Sequence, residues 1–173
     1  MTDGTRRLIL MRHAQAEWQS DRAPDFDRDL NRRGIAEVAE AAKLLRGLGS
    51  PPDLILASAA TRTRRTAEAV LRAMALPERR LICSEKLYLA SPEEIFAVAR
   101  EVGPMIIQLL LVGHNPGISE AAQRLVPGAG LSDFDTGALC EIQLELPEWT
   151  ALGDGSGREA RYLRPRGLFE LWT

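Results

Sequence analysis

Residues 8–14 read Leu-Ile-Leu-Met-Arg-His-Ala, four apolar positions without alternation followed by a cation and an imidazole. A short run that is apolar at every position suits a strand covered on both faces, and the polar C-terminal end of such a strand is where open α/β sheets bind ligands. A second strand-like run, residues 106–112, apolar apart from Gln108, ends in Gly113-His114-Asn115-Pro116-Gly117. His13 and His114 are the chain's only histidines. If the two strands lie side by side and parallel, both imidazoles meet at one edge of the sheet.

Residues 15–29 between these runs are polar at first sight, with Pro24, four aspartates and no period. A connection of that length without pattern is uncommon in a compact domain and is more often functional than neutral. Asn31 then predicts a helix N-cap, because Ile35, Val38, Ala39, Ala42 and Leu45 recur at helical spacing up to Gly47. Pro51-Pro52 breaks the chain, and residues 53–58 read as a second buried strand, completing a βαβ pattern that predicts parallel pairing. A helix over residues 60–75 carries Ala67, Val70, Leu71 and Met74 on its apolar side. A short strand at 81–83 follows, then a helix from Ser91 or Pro92 to Val102 with Ser91 and Glu94 in a capping-box pattern. Beyond His114 the pattern predicts a helix over 118–126, a loop over 127–133, a strand over 137–146, a Gly-rich turn near 154–157 and a strand over 161–172. The expectation is one α/β domain over residues 1–173, a three-layer αβα sandwich with a mainly parallel sheet closed by antiparallel C-terminal strands.

Composition narrows the chemistry. With 173 residues, 45% of them hydrophobic and 27% charged, the chain can bury one core. A net charge of −2 gives no reason to expect nucleic acid or an anionic membrane as a partner, and no apolar stretch approaches the roughly 20 residues of a membrane helix. Cys83 and Cys140 form no metal or redox spacing, and together with an N-terminus that is not signal-like they fit a reducing cytoplasm. The charge is nevertheless uneven: residues 1–80 hold 15 Lys+Arg against 11 Asp+Glu, whereas the remainder is net acidic. Nearly all the basic residues are arginines, Lys43 and Lys86 being the only lysines. The planar Arg fork matches phosphate and carboxylate oxygens, although a genome rich in G and C would favour the same codons.

Arg62, Arg64 and Arg65 fall in the first turn of the 60–75 helix, where the dipole opposes cations unless an anion lies near. A solvated basic face would explain any one of them, as a hydrogen-bonded core histidine would explain His13 or His114 alone. Taken together they place cations and imidazoles at three strand ends. Such a site suits a dianionic phosphoryl group, whose oxygens need fixed donors as the reaction proceeds, and a neutral imidazole is a competent nucleophile toward phosphorus. Other phosphate chemistries lack their residues. There is no GxxxxGK[ST] or GxGxxG loop, and neither cysteine is followed six positions later by arginine. Asp25-Phe26-Asp27 and Asp133-Phe134-Asp135 follow no buried strand and carry Asp29 and Gly137 where an aspartyl-phosphate motif has a hydroxyl or valine. Two histidines without a carboxylate at close helical spacing make a poor transition-metal site.

Arg12-His13 after the first strand, Ser58-x-x-x-Arg62-x-x-x-Thr66 after the second and Gly113-His114 after a later one resemble the histidine phosphatase superfamily, which includes phosphoglycerate mutases and acid phosphatases. The Arg28-Asp29-Leu30-Asn31-x-x-Gly34 segment and the His114-Asn115-Pro116-Gly117 turn are similar to those of SixA-type phosphohistidine phosphatases. The resemblance runs from Leu8 to about Leu146. It implies a phosphoglycerate mutase-like fold and a metal-independent, cofactor-free phosphohydrolase. It also implies His13 as the transiently phosphorylated nucleophile, Arg12 and Arg62 as the phosphoryl clamp, His114 as a donor to the transition state and Arg28 as an auxiliary, substrate-binding phosphate ligand. Ala14 stands where the family has glycine; alanine tolerates positive φ poorly, so the backbone after His13 is expected to differ slightly while the side-chain chemistry is kept. Many members protonate the leaving oxygen with a carboxylic acid, and Glu85 is the nearest candidate by position, in surroundings that match that motif poorly. The expected substrate is a phosphohistidine carried by a signalling or phosphotransfer protein. The alternatives are a small-molecule phosphomonoesterase of the same superfamily or, in a different class, a non-catalytic phosphate- or phosphoprotein-binding module, which would need the arginines but not a nucleophile.

Overall fold

The computed structural model describes residues 4–21 and 23–165. In chain order the main elements are β1 (Thr5–Arg12), α1 (Arg32–Gly47), β2 (Leu54–Ser58), α2 (Thr61–Ala73), β3 (Leu81–Ser84), α3 (Pro92–Arg100), β4 (Gln108–Gly113), α4 (Gly117–Leu125), β5 (Leu139–Glu145) and β6 (Gly157–Leu163). They form a six-stranded sheet of order β3-β2-β4-β1-β5-β6. The first four of these are mutually parallel, and β5 and β6 add antiparallel pairing on the β1 side.

Side chains alternate across each strand, so the apolar runs serve both faces at once. Leu8, Leu10, Leu56, Leu109 and Leu111 pack into a core with Ile95 and Phe96 of α3 and Ile118 of α4. Ile9, Met11, Ile55, Leu110 and Val112 pack on the other side with Val38 of α1 and Val70 of α2. The result is the αβα sandwich. It also explains why these strands carry no polar face for the eye to find.

Cap chemistry sets the helix starts. The Asn31 side chain accepts from the Gly34 N–H at the head of α1, and Ser91 and Glu94 form both halves of the capping box of α3. The expected strand at 106 begins instead at Gln108, because the Asp53 carboxylate takes the Ile107 and Gln108 N–H groups at 3.0 and 2.9 Å. The helix expected to reach Val102 ends at Arg100. Two further expectations are corrected. Ile35 and Ala39 are exposed rather than buried: the stripe facing the sheet runs through Gly34, Val38, Ala41, Ala42 and Leu45. The last strand starts at Gly157, not 161, since pairing with β5 sets its register, and it ends at Leu163; positions 166–172 of the expected strand lie outside the described residues. Among the described residues no helix is long and apolar enough to cross a membrane.

Gly34 explains the rotation of α1. A Cβ at this position would lie 2.0 Å from the Gln15 carbonyl oxygen, so only glycine lets the segment after β1 lie directly on the first turn of the helix. Asn31 and Glu37 then hold that segment: the Asn31 N–H donates to the Gln15 carbonyl at 3.1 Å and the Gln15 N–H to Glu37 Oε2 at 2.9 Å. Gly34→Ala must push backbone against backbone and is expected to destabilise the protein by about 1–3 kcal/mol, read as a lower denaturant midpoint.

The topology also locates a crevice. β1 and β4 are neighbours, yet α1 leaves β1 toward one face and α4 leaves β4 toward the other. Such a switch point, at the C-terminal ends of the strands, is where open α/β sheets leave room for a ligand.

Candidate active site

β1 and β4 end in register, with Arg12 beside Gly113. The next residue, His13, donates its N–H to the Gly113 carbonyl at 3.0 Å and accepts from the Gly137 N–H at 3.1 Å, so its backbone is held from both sides. His114 continues β4. The two imidazoles stand edge to face with centroids 5.2 Å apart.

The four-residue spacing from Ser58 to Arg62 to Thr66 acquires a physical meaning here. Ser58 ends β2 beside β4, while Arg62 and Thr66 lie one turn apart on the buried face of α2. The Ser58 hydroxyl is 2.8 Å from His114 Nε2 and the Thr63 hydroxyl 3.3 Å from it. Thr66 Oγ1 accepts from the Ala14 N–H at 3.1 Å, which fixes the backbone next to His13. Ala14 itself is fully buried and has no positive φ. Alanine therefore fits this position without strain.

Arg62, only 3% exposed, links the two imidazoles. Its Nε donates to His13 Nε2 at 3.3 Å, and its Nη2 donates to His114 Nδ1 at 3.3 Å. A guanidinium can only donate, so each of those ring nitrogens offers a lone pair. The remaining nitrogens then carry the protons: His13 Nδ1–H donates to the Ala14 carbonyl at 2.8 Å and His114 Nε2–H donates to Ser58 Oγ. The network thus assigns two neutral imidazoles of opposite tautomer. Burial acts in the same direction. It pushes His13 down to about 4, with Arg62, Arg12 and Arg28 adding to the effect against the Ala14 bond, and it pushes His114 down to about 3, with His13 and Arg62 adding to it.

This has a consequence for stability. In the unfolded chain both rings take up protons near pH 6.5, whereas in the folded protein they resist until about 4 and about 3. The unfolded state therefore binds more protons below pH 6.5, and stability falls as pH is lowered from there toward 4. The denaturant midpoint should drop between pH 7 and pH 5, a window above the carboxylates, and the drop should shrink in His114→Gln.

The other expected residues divide. Arg12 reaches the site from the end of β1. Its Nη1 donates to the Phe134 carbonyl at 2.6 Å, its Nε is buried with no partner among the described residues, and burial lowers its pKa against the pull of Asp133, Asp135 and Glu37. Arg28 lies at the rim, donating to Asp25 Oδ1 and to the Glu17 carbonyl, each at 2.8 Å. Arg64 and Arg65 point outward and pair with Glu68 and Asp29 on the surface. Glu85 is exposed and makes no hydrogen bond or ion pair with these residues.

Three residues enter that sequence reading missed. Asp25, set aside as an aspartyl nucleophile, places its carboxylate 3.0 Å from Arg62 Nη2, 2.8 Å from Arg28 Nη1 and 2.8 Å from the Tyr88 hydroxyl. Burial would raise this carboxyl, but the three donors outweigh it and hold it well below the usual carboxylate range. Tyr88 stands edge-on to His114, and its phenol is pushed up by the bond to Asp25. Glu37 ties the Gln15 N–H, Arg33 and the Thr136 hydroxyl together beneath the site.

Neutral imidazoles and arginines gathered at a switch point define an enzyme that handles phosphoryl groups, and the comparisons with known proteins agree. The model of the histidine phosphatase superfamily (branch 1) matches residues 8–82. An uncharacterised chloroplastic protein of Arabidopsis thaliana is 35% identical over 136 residues, covering 72% of this chain and 61% of its own length. An uncharacterised protein of Mycobacterium tuberculosis is 34% identical over 137 residues, covering 79% of this chain and 81% of its own. A solved structure from Agrobacterium tumefaciens, described as a candidate phosphohistidine phosphatase SixA, is 30% identical with a TM-score of 0.78 and covers 92% of this chain and 98% of its own. The chain belongs to the histidine phosphatase superfamily, and its activity is that of a phosphatase.

Proposed function

We propose that the protein is a phosphohistidine phosphatase of SixA type that works through a phosphohistidine intermediate on His13. The observation that carries this reading is the His13 tautomer: Nδ1–H is held by the Ala14 carbonyl, which leaves the Nε2 lone pair facing the arginine-lined site. Nε2 attacks phosphorus, forming an N–P bond as the bond to the substrate's imidazole nitrogen breaks. Water then attacks the phosphorus, the bond to Nε2 breaks, and inorganic phosphate leaves. Arg12 and Arg62 meet the charge on the equatorial oxygens, where fixed donors in a dry site are most effective. Ser58 and Thr63 orient His114 so that its Nδ1 faces the same group; Nδ1 holds a lone pair in the free enzyme and donates to the phosphoryl oxygens once the bound dianion has drawn a proton onto it. Arg28 adds positive charge at the rim, and the substrate is a phosphohistidine on a partner protein.

The leaving group decides between phosphohistidine and a phosphomonoester. An alkoxide is strongly basic and needs a positioned acid, which contributes typically 10²–10⁴-fold. Imidazole leaves readily once its nitrogen is protonated. Glu85 stands apart from the site, and Asp25 is held ionised. One observation favours the phosphomonoesterase reading: a bound dianion beside Asp25 would drive that carboxyl toward protonation. The two separate in kcat/KM for a phosphohistidine peptide, p-nitrophenyl phosphate and a phosphoserine peptide, measured with EDTA present. Phosphohistidine should be best and phosphoserine worst, and Glu85→Gln should leave the ranking unchanged. Phosphoserine as the best substrate would replace this reading by the phosphomonoesterase one.

A further inference from the structure

The Arg62 fork is already occupied by an anion from its own chain. Beyond its bonds to the two imidazoles, Nη1 donates to the Asp25 backbone carbonyl at 2.6 Å and Nη2 to Asp25 Oδ2 at 3.0 Å. Both are shorter than the 3.3 Å bonds to the histidines, as expected when a charged donor meets a strong oxygen acceptor. A phosphoryl group cannot take the fork while these bonds stand.

We propose that Asp25 is a specificity-determining residue, an internal anion seated in the Arg62 fork that a dianionic phosphoryl group displaces and a monoanion does not. The proposal rests on the reading of this crevice as a phosphoryl site, but not on turnover. Asp25 is held in place from its far side: Arg28 bonds Oδ1, the Tyr88 hydroxyl bonds Oδ2, and the Phe26 ring packs edge-on against Tyr88 at 5.0 Å. The residues carrying it, Asp25–Asp27, form one short 3-10 turn with no buried member, on the connection between β1 and α1. Exchange therefore moves a surface turn and leaves the sheet undisturbed. After it, Arg28, the residue that closes the same turn, still satisfies the carboxylate, while the bond to Tyr88 is given up.

The discrimination follows from counting charge and acceptors. A monoanion exchanges one charge for one charge and loses the additional bond to the Asp25 carbonyl. A terminal phosphoryl group brings two charges and three oxygens, enough to replace both Asp25 bonds and to engage Arg12 as well. Apparent affinity is lowered by the fraction of molecules in which the fork is free, so a seated carboxylate weakens every ligand, and the weakest binders fall below use first.

Calorimetric titration of the full chain with inorganic phosphate at pH 8, where it is a dianion, and with dimethyl phosphate, a monoanion, tests this. Asp25→Ala should bind phosphate about tenfold or more tightly than wild type, and dimethyl phosphate should gain by a similar factor, which brings its weaker binding into the measurable range only in the variant. Tyr88→Phe keeps the charge but removes one tether, and should show a smaller gain of the same sign. Asp27→Asn, a neighbouring charge outside the fork, should change phosphate affinity by less than about twofold, because exposed charges are screened. Asp25→Ala binding no tighter than wild type, or Asp27→Asn matching it, would overturn the proposal. Phosphate failing to bind wild type and every variant would instead overturn the phosphoryl-site reading on which it rests.

Discussion

His13→Ala should abolish phosphatase turnover, lowering kcat on the order of 10⁴-fold or more, as removal of a covalent nucleophile does, while the protein stays folded. The fold survives because, among the described residues, the imidazole bonds only the adjacent Ala14 carbonyl and Arg62, whereas the main chain of His13 is held by Gly113 and Gly137, bonds that alanine keeps. Wild type quenched in alkali during turnover should carry a phosphoryl group on His13 that acid removes, and the variant should carry none. Circular dichroism alongside the assay separates lost chemistry from lost structure. Full activity in the variant would show that the covalent route is wrong.

Arg62→Lys should lower kcat/KM by about 10²–10³-fold although the charge is kept. Arg62 addresses His13, His114 and the anion position from one planar group, through Nε, Nη1 and Nη2. A lysine ammonium is a single point and cannot span both imidazoles. Losing Arg62 also removes the donors that keep a lone pair on His13 Nε2 and His114 Nδ1 facing the crevice, so orientation suffers together with charge. Steady-state kinetics on p-nitrophenyl phosphate checks this, and a lysine variant within about threefold of wild type would contradict the clamp.

What could be read from sequence follows from the range of the interactions involved. Buried strands announce themselves through apolar runs, and β1, β2 and β4 are apolar because helices cover both faces. Arg12, His13, Ser58, Arg62 and His114 are legible because each sits directly after such a run or at a fixed helical spacing from it. Asp25 and Tyr88 are not, since their partnership spans 63 positions and the connection carrying Asp25 has no period to orient it. Glu37 likewise looks like a solvent-facing residue of α1 until the Gln15 N–H and the Thr136 hydroxyl arrive from elsewhere in the chain. The misplacement of Ile35 has the same origin. Helical spacing identifies an apolar side, but the close approach of Gln15 to Gly34 decides which edge of that side meets the sheet.

The strand order also bears on how the molecule is assembled during synthesis. β1 and β2 are consecutive in the chain but never touch; β4, made some fifty positions after β2, is inserted between them. Until residue 113 has been added, β1 has no parallel neighbour, and its backbone groups and Leu8, Ile9 and Leu10 side chains remain without their native cover. Joining ends separated by so much chain makes sheet closure the slow event in folding. The nascent N-terminal half is therefore the form of this protein most in need of protection from aggregation, and the two histidines, one on each side of that closure, come together only once it is complete.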